Sequence, residues 1–247
     1  MTEPSTAKFV VARSRSPGSH GEPHRTVRGK WLRAAVLGAD DAIVSTSSLM
    51  IGIAASAASR HAVLLAGVAG LVAGAMSMAA GEYVSVSSQR DSELADIAIE
   101  KEELASEPQA ELAELTMIYV KRGLDRDLAQ KVAKALSRRD RLGAHLRDEL
   151  GIDPSSLSRP IQAAWISALS FGSFALVPIV GLLMAPEGAR IPVIAALSLL
   201  SLSALGALGG YLGGAPMLRA AVRVTVGGAL AMAATAAIGR LFGVATG

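Results

Sequence analysis

Five tracts of mostly apolar residues, at about 34–58, 62–88, 161–184, 191–212 and 220–244, are each close to the ~20 residues needed to cross ~30 Å of hydrocarbon. Between the second and third lies a polar insertion of roughly 70 residues, too charged to enter a bilayer. The pattern predicts an all-α, polytopic membrane protein with five transmembrane helices and a cytoplasmic three-helix insertion. Composition agrees. Hydrophobic residues make up 51% of the 247, yet aromatics only 4%, and small side chains let helix backbones approach closely in lipid. With no cysteine, disulfide frameworks and thiolate metal sites are excluded.

Orientation follows from the loops. The first 33 residues carry Lys8, Arg13, Arg15, Arg25, Arg28, Lys30 and Arg33 against Glu3 and Glu22, and read as a disordered basic tail without an apolar signal-peptide region. No aromatic interleaving or folded reader accompanies that tail, which argues against nucleic acid as a partner. Together with Lys121, Arg122, Lys131, Lys134, Arg138, Arg139 and Arg141 of the insertion, and Arg219 and Arg223, it puts most positive charge on one side. The opposite loops hold only Arg60 and Arg190, with Arg240 near the end. The N-terminus and the insertion are therefore expected in the cytoplasm and the C-terminus outside. The division is a tail over 1–33, two spans over 34–89, a cytoplasmic helical metal-binding domain over 90–160 and three spans over 161–247.

Within the insertion, the second span continues as a helix to about Leu104. Ser106 and Gln109 have capping-box spacing for a second helix, with Pro108 in its first turn. Gly123 is a stop signal, and Asp125 caps a third helix over 126–150 that Gly151 and Pro154 close.

Two adjacent acids, Asp40 and Asp41, interrupt the first tract, and a carboxylate there costs about 2.5–3.5 kcal/mol unless neutralised or turned to a polar cavity. In the second tract Met78 and Glu82 share a helix face. A carboxylate beside a thioether suits a transition ion such as Fe²⁺ better than Mg²⁺ or Ca²⁺, which take oxygen shells. The competing reading is packing: Met78 fills a gap between helices and Glu82 hydrogen-bonds across them.

The segment 91–114 is rich in acids that would repel one another on an isolated helix. The pairs Glu100/Glu103 and Glu111/Glu114 fall on two helices joined by a short turn, so four carboxylates can point at one volume. His145 and Glu149, one turn apart on the third helix, can close a metal site. A solvated acidic surface explains the same charges without an ion.

The stretches GADDAIVSTSSLMIGIA, LVAGAMSMAAGEYVSVSSQRDSE and DELGID, with the two glutamate pairs, resemble the vacuolar iron transporter family, including its bacterial and nodulin-like members, from about Leu32 to the C-terminus. The resemblance implies a homodimer of five-helix subunits whose path, built from the first two spans, exports Fe²⁺, or Mn²⁺ in some members, in exchange for protons. It implies membrane ligands at Asp41 and Met78, Glu82 beside the path, and a cytoplasmic metal-binding domain containing Glu100, Glu103, Glu111, Glu114 and Glu149. His145 and Leu146 stand where the family carries Met and Glu ligands, and imidazole is a competent substitute. The DDA triplet, where Asp-Gly is usual, adds Asp40.

The expected partners are divalent metal ions, protons, lipid and a second copy of the chain; the metal is cargo, and no cofactor is expected. The competing class is a membrane-anchored metal sensor or metal-binding protein. Phosphate loops, nucleophile elbows and His-rich catalytic motifs are missing from the sequence, which argues against an enzyme. High Ala, Gly and Arg content points to a bacterial plasma membrane.

Overall fold

The computed structural model describes residues 25–246, with side-chain surroundings described for residue 36 and residues 38–243. Seven α-helices follow in order: α1 Arg25–Ala55, α2 Arg60–Ser106, α3 Pro108–Lys121, α4 Arg126–Asp148, α5 Pro160–Met184, α6 Arg190–Gly213 and α7 Met217–Thr246, with one 3₁₀ turn at Pro154–Ser156. Among the described residues there is no strand. Helix α1 begins at Arg25, so Arg25, Arg28, Lys30 and Arg33 stand on a helix and not in an unstructured tail. After Pro23 no proline interrupts the run into the apolar tract. The remainder of the expected tail, residues 1–24, lies outside the described residues.

Helix α1 is the hub. Its Ala39, Ala42, Ile43, Thr46, Ser47, Met50 and Ile51 are buried at three- and four-residue steps, and it packs against α2, α5, α6 and α7. Ile43, Met50 and Ile51 meet Val63 of α2, Ile179 and Leu182 of α5, Ile194 and Leu202 of α6 and Met232 of α7 in one core. The α6–α7 crossing depends on Gly206, where an added Cβ would lie 2.9 Å from Ala221 Cα. This places the small-residue face of α6 against a helix of the same chain.

Among the described residues four helices, α2, α5, α6 and α7, are long and apolar enough to cross a membrane. Helix α1 is not among them: Asp40 and Asp41 offset the apolarity of the residues around them. A count of five spans therefore goes beyond what length and composition alone support.

Helices α2 and α5 are tied at both ends. At one, the Arg60 guanidinium donates to the carbonyls of Leu182, Leu183 and Ala185 at 2.7–2.8 Å, satisfying groups that the end of α5 leaves open. At the other, Ser158 donates its backbone N–H and its hydroxyl to Glu93 at 3.0 and 2.8 Å, and Arg90 donates to the Ser158 carbonyl.

Beyond its apolar part α2 runs on without a break to Ser106, and α3 and α4 fold back beside it. The predicted capping box does not form. Ser106 is the last residue of α2 and its hydroxyl donates to the Glu102 carbonyl at 2.9 Å, while Glu107 is the hinge between α2 and α3. Asp125 caps α4 as expected, accepting from the N–H groups of Asp127 and Leu128 at 3.0 Å. Helix α4 ends at Asp148, short of the expected 150, and it is broken at Asp140, whose φ of −158° and ψ of 91° are extended.

Candidate metal centre

The break in α4 sets up the site. The Asp140 carboxylate accepts from the Gly143 N–H at 3.0 Å and so caps a second, short helical stretch. A side chain at 143 would run into that carboxylate, which explains glycine there. Arg141 then donates to the Leu104 carbonyl at 3.2 Å, fastening the stretch to α2. At its far end Asp148 accepts from the Tyr119 hydroxyl at 2.8 Å and from Arg122 at 2.7 Å. Burial pushes the Asp148 carboxyl up, but the hydrogen bonds from Arg122 and Tyr119 outweigh it and hold the group below its ordinary value. The result is that Gly143, Ala144, His145 and Leu146 are buried against α2 and α3.

At the centre of that contact the His145 Nδ1 atom lies 3.0 Å from Glu100 Oε1, 2.9 Å from Glu149 Oε2 and 3.5 Å from Glu111 Oε2. One ligand atom from each of the four residues falls within 4.8 Å of the others. His145 is wholly buried, Glu100 and Glu111 nearly so, and Glu149 is on the open side. One imidazole nitrogen carries at most one proton, so it cannot satisfy three carboxylates. Even as imidazolium it would leave two of their three negative charges uncompensated. Glu100 Oε1 and His145 Nε2 are both buried without a hydrogen-bond partner, an expensive arrangement unless something else binds there.

The electrostatics carry the same message. Burial, and then the neighbouring Glu149, Glu111 and Glu103, push the Glu100 carboxyl from 4.5 up to about 7, against a smaller lowering by His145. Burial also raises Glu111, with Glu114, Glu103 and Glu149 adding to it and His145 opposing. A divalent cation among these groups would supply the missing charge. One nitrogen and three carboxylate oxygens suit a borderline first-row ion, and the site offers neither thiolate nor an all-oxygen shell.

The structure separates the four glutamates expected to act together. Glu100 and Glu111 face inward, whereas Glu103 and Glu114 are exposed, their charges helping to raise the carboxyls of Glu100 and Glu111. A three-residue step turns a helix by about 300°, which rotates the second acid of each pair off the buried stripe. His145 and Glu149 complete the group in their place.

A second constellation lies in the apolar body. Asp41, Ser45, Thr46, Ser77 and Met78 share a cavity of about 230 Å³ that Phe171 of α5 closes on one side. Asp41 and Ser45 are exposed on the outer face of α1. Thr46 Oγ1 is buried and unpartnered. Asp40 does not line this cavity, and its Oδ1 atom is buried without a partner. Glu82 is also absent from it: one turn from Met78, it lines a neighbouring groove instead. Sequence spacing alone had missed Phe171 and Thr46, as well as Tyr119 and Asp148. Of these, Asp148 stood in the DELGID stretch and Tyr119 lies two turns from Glu111, but neither position carries a ligand signal.

Residues 32–240 match the family model described as the VIT family. The chain is 46% identical over 228 residues to a vacuolar iron transporter of Acanthamoeba castellanii (strain ATCC 30010 / Neff), covering 91% of this chain and 84% of that protein. It is 38% identical over 248 residues to vacuolar iron transporter homolog 1 of Oryza sativa subsp. japonica, covering 98% and 89%, and 42% identical over 216 residues to homolog 2 of the same plant, covering 87% and 92%.

Proposed function

Because the chain belongs to the VIT family, we propose that it moves Fe²⁺, and Mn²⁺ as a second substrate, out of the cytosol across a membrane in exchange for protons. The observation that carries this reading is the convergence of Glu100, Glu111 and Glu149 on His145, at the cytoplasmic end of the same unbroken helix that bears Met78. An inert anchor has no need of both that cluster and a carboxylate–thioether pair on one membrane cavity.

In the proposed cycle the cation is gathered from the cytosol by the cluster, whose local negative charge raises its concentration there. It then reaches Asp41 and Met78, where Ser45, Thr46 and Ser77 provide further oxygen atoms. Binding expels protons from the carboxyl groups that take the cation, and protonation from the far side releases it. Cation and protons thus use the same carboxylates in turn.

Five spans, with α1 as the fifth, put residues 90–160 in the cytoplasm and the C-terminus on the receiving side. The exposure of Asp41 on the outer face of α1, in a cavity that exposed Leu49 also lines, favours a homodimer in which the second copy covers the cavity from lipid. The curated relatives are named for the vacuole, so a bacterial plasma membrane rests on composition alone.

The test is ion flux into vesicles reconstituted with the full chain, comparing Fe²⁺, Mn²⁺, Zn²⁺ and Co²⁺ under an imposed pH gradient. Uptake that follows the gradient is expected. Metal binding with no flux would leave the anchored sensor as the better reading.

A further inference from the structure

The end of the apolar body away from the His145 cluster is pinned twice. There the turn between α1 and α2, residues 56–59, meets the turn between α5 and α6, residues 185–189. Arg60, the first residue of α2, donates to the carbonyls of Leu182, Leu183 and Ala185 at 2.7–2.8 Å. Arg190, the first residue of α6, returns the contact by donating to the Ala58 carbonyl at 3.2 Å. Each turn thus lends one arginine to the backbone of the other. Among the described residues neither guanidinium pairs with a carboxylate, although Glu187 stands in the second turn. Hydrogen bonds to neutral carbonyls part more readily than charge-paired ones, so the contact can be undone and remade.

The turn held in this way is strained. Ala57 has a φ of 64°, and among the described residues it is the single non-glycine in the left-handed region, where Cβ crowds the following carbonyl. Just inside the turn, the seam between α1 and α2 is shut. Met50 is wholly buried and packs onto Gly67 so closely that an added Cβ would lie 2.7 Å from its sulfur. The cavity that holds Asp41 and Met78 stops short of that contact, at Leu49 and Gly70. A carrier that shows one site to two sides in turn keeps each end closed while the other is open. Here the closed end is strained in its own turn and held from outside by two arginines.

We propose that Arg60 and Arg190 form a releasable latch on the receiving side, which keeps the α1–α2 seam shut at Met50 and Gly67 and gives way when the cavity opens there. The strain at Ala57 favours opening and balances the latch. The inference rests on the transport reading above.

The chain has no cysteine, so Leu49→Cys places a single thiol in the cavity. Its labelling by a membrane-impermeant maleimide, added from the side of the α1–α2 turn, is followed with the full chain in oriented vesicles. Arg60→Gln is expected to speed labelling about tenfold or more, because hydrogen bonds from a charged donor are lost. Adding Ala57→Gly to that variant is expected to slow labelling again by about fivefold, since glycine takes the left-handed conformation without strain. Arg190→Gln removes one hydrogen bond and should give a smaller rise; it carries the test where Arg60→Gln does not fold. Unchanged labelling in the arginine variants, even with thermal stability lowered, overturns the latch and leaves both residues as structural ties. A rise that Ala57→Gly does not reverse overturns the balance with the turn. If the unaltered chain moves no Mn²⁺ or Fe²⁺ in the same vesicles, it is the transport reading that has failed.

Discussion

His145 Nδ1 and Glu100 Oε1 meet 3.0 Å apart although they stand on different helices, Glu100 on the polar end of α2 and His145 beyond the break in α4. Their contact makes the candidate metal centre a tertiary feature, assembled only when α3 and α4 fold back on α2. His145→Ala is therefore expected to weaken Mn²⁺ or Co²⁺ binding by at least the roughly 10–100-fold that losing even an outer-shell partner costs. Calorimetric titration of the full chain in detergent measures this, and unchanged affinity would remove the imidazole from the ligand set.

Acidity should control the same site. With Glu100 raised from 4.5 to about 7, metal must displace a proton at any pH below about 7. Affinity is expected to climb by up to about tenfold per pH unit there and to flatten above it. Titrations in buffers of different ionisation enthalpy would show protons released at pH 6 and fewer at pH 8.

Linkage gives the metal-free protein the opposite tendency. A carboxyl whose folded pKa is raised contributes stability in full below its ordinary value, and that contribution is lost as pH rises through the folded value. For Glu100 the window runs from about 4.5 to about 7. Thermal unfolding of the polar helices around His145 should accordingly show metal stabilising them more at pH 8 than at pH 5.5. A metal-induced shift that is the same at both pH values would contradict this.

The exposed glutamates offer a contrast. Replacing Glu103 and Glu114 together with Gln is expected to lower affinity only modestly, within about threefold, and mostly at low salt, because screened surface charges act weakly. Replacing Glu100 and Glu111 should eliminate binding. Comparable losses from the two pairs would show that all four carboxylates hold the ion.

In the membrane body, Asp41→Ala is expected to abolish flux while leaving cluster binding and thermal stability unchanged, since Asp41 is exposed and its side chain braces no core contact. Vesicle flux alongside a binding titration separates the two effects. Retained proton-coupled uptake would remove Asp41 from the path.

Much of this was legible in the sequence, because hydrophobic periodicity and caps are local signals. The continuity of α2 from its apolar tract into the acidic run, the Asp125 cap and the Gly123 and Gly151 stops all follow from neighbouring residues. What the chain concealed depends on rotation about helix axes and on contacts between distant segments. Equal spacing made Glu103 resemble Glu100, but only the packing of α3 and α4 decides which acid is inward. Ser106 has the cap's offset from Gln109, yet α2 stays helical through Ser106 and turns at Glu107, which the following Pro108 holds out of the helical region. The break at Asp140 had no marker stronger than the glycine three residues on, and Phe171 reached Met78 across more than ninety residues of sequence.

The length of α2 has a mechanical consequence. A 47-residue helix without a kink behaves as a stiff lever, and a tilt of about 5° pivoting at Met78 carries Glu100 through roughly 3 Å, comparable to a coordination distance. An ion held by the three helices around His145 would fix the lever's angle, and Arg60 and Glu93, which hold α5 and the residues just before it, would pass that angle on. On the transport reading, occupancy of the cluster and the width of the membrane cavity would then be two readings of one coordinate.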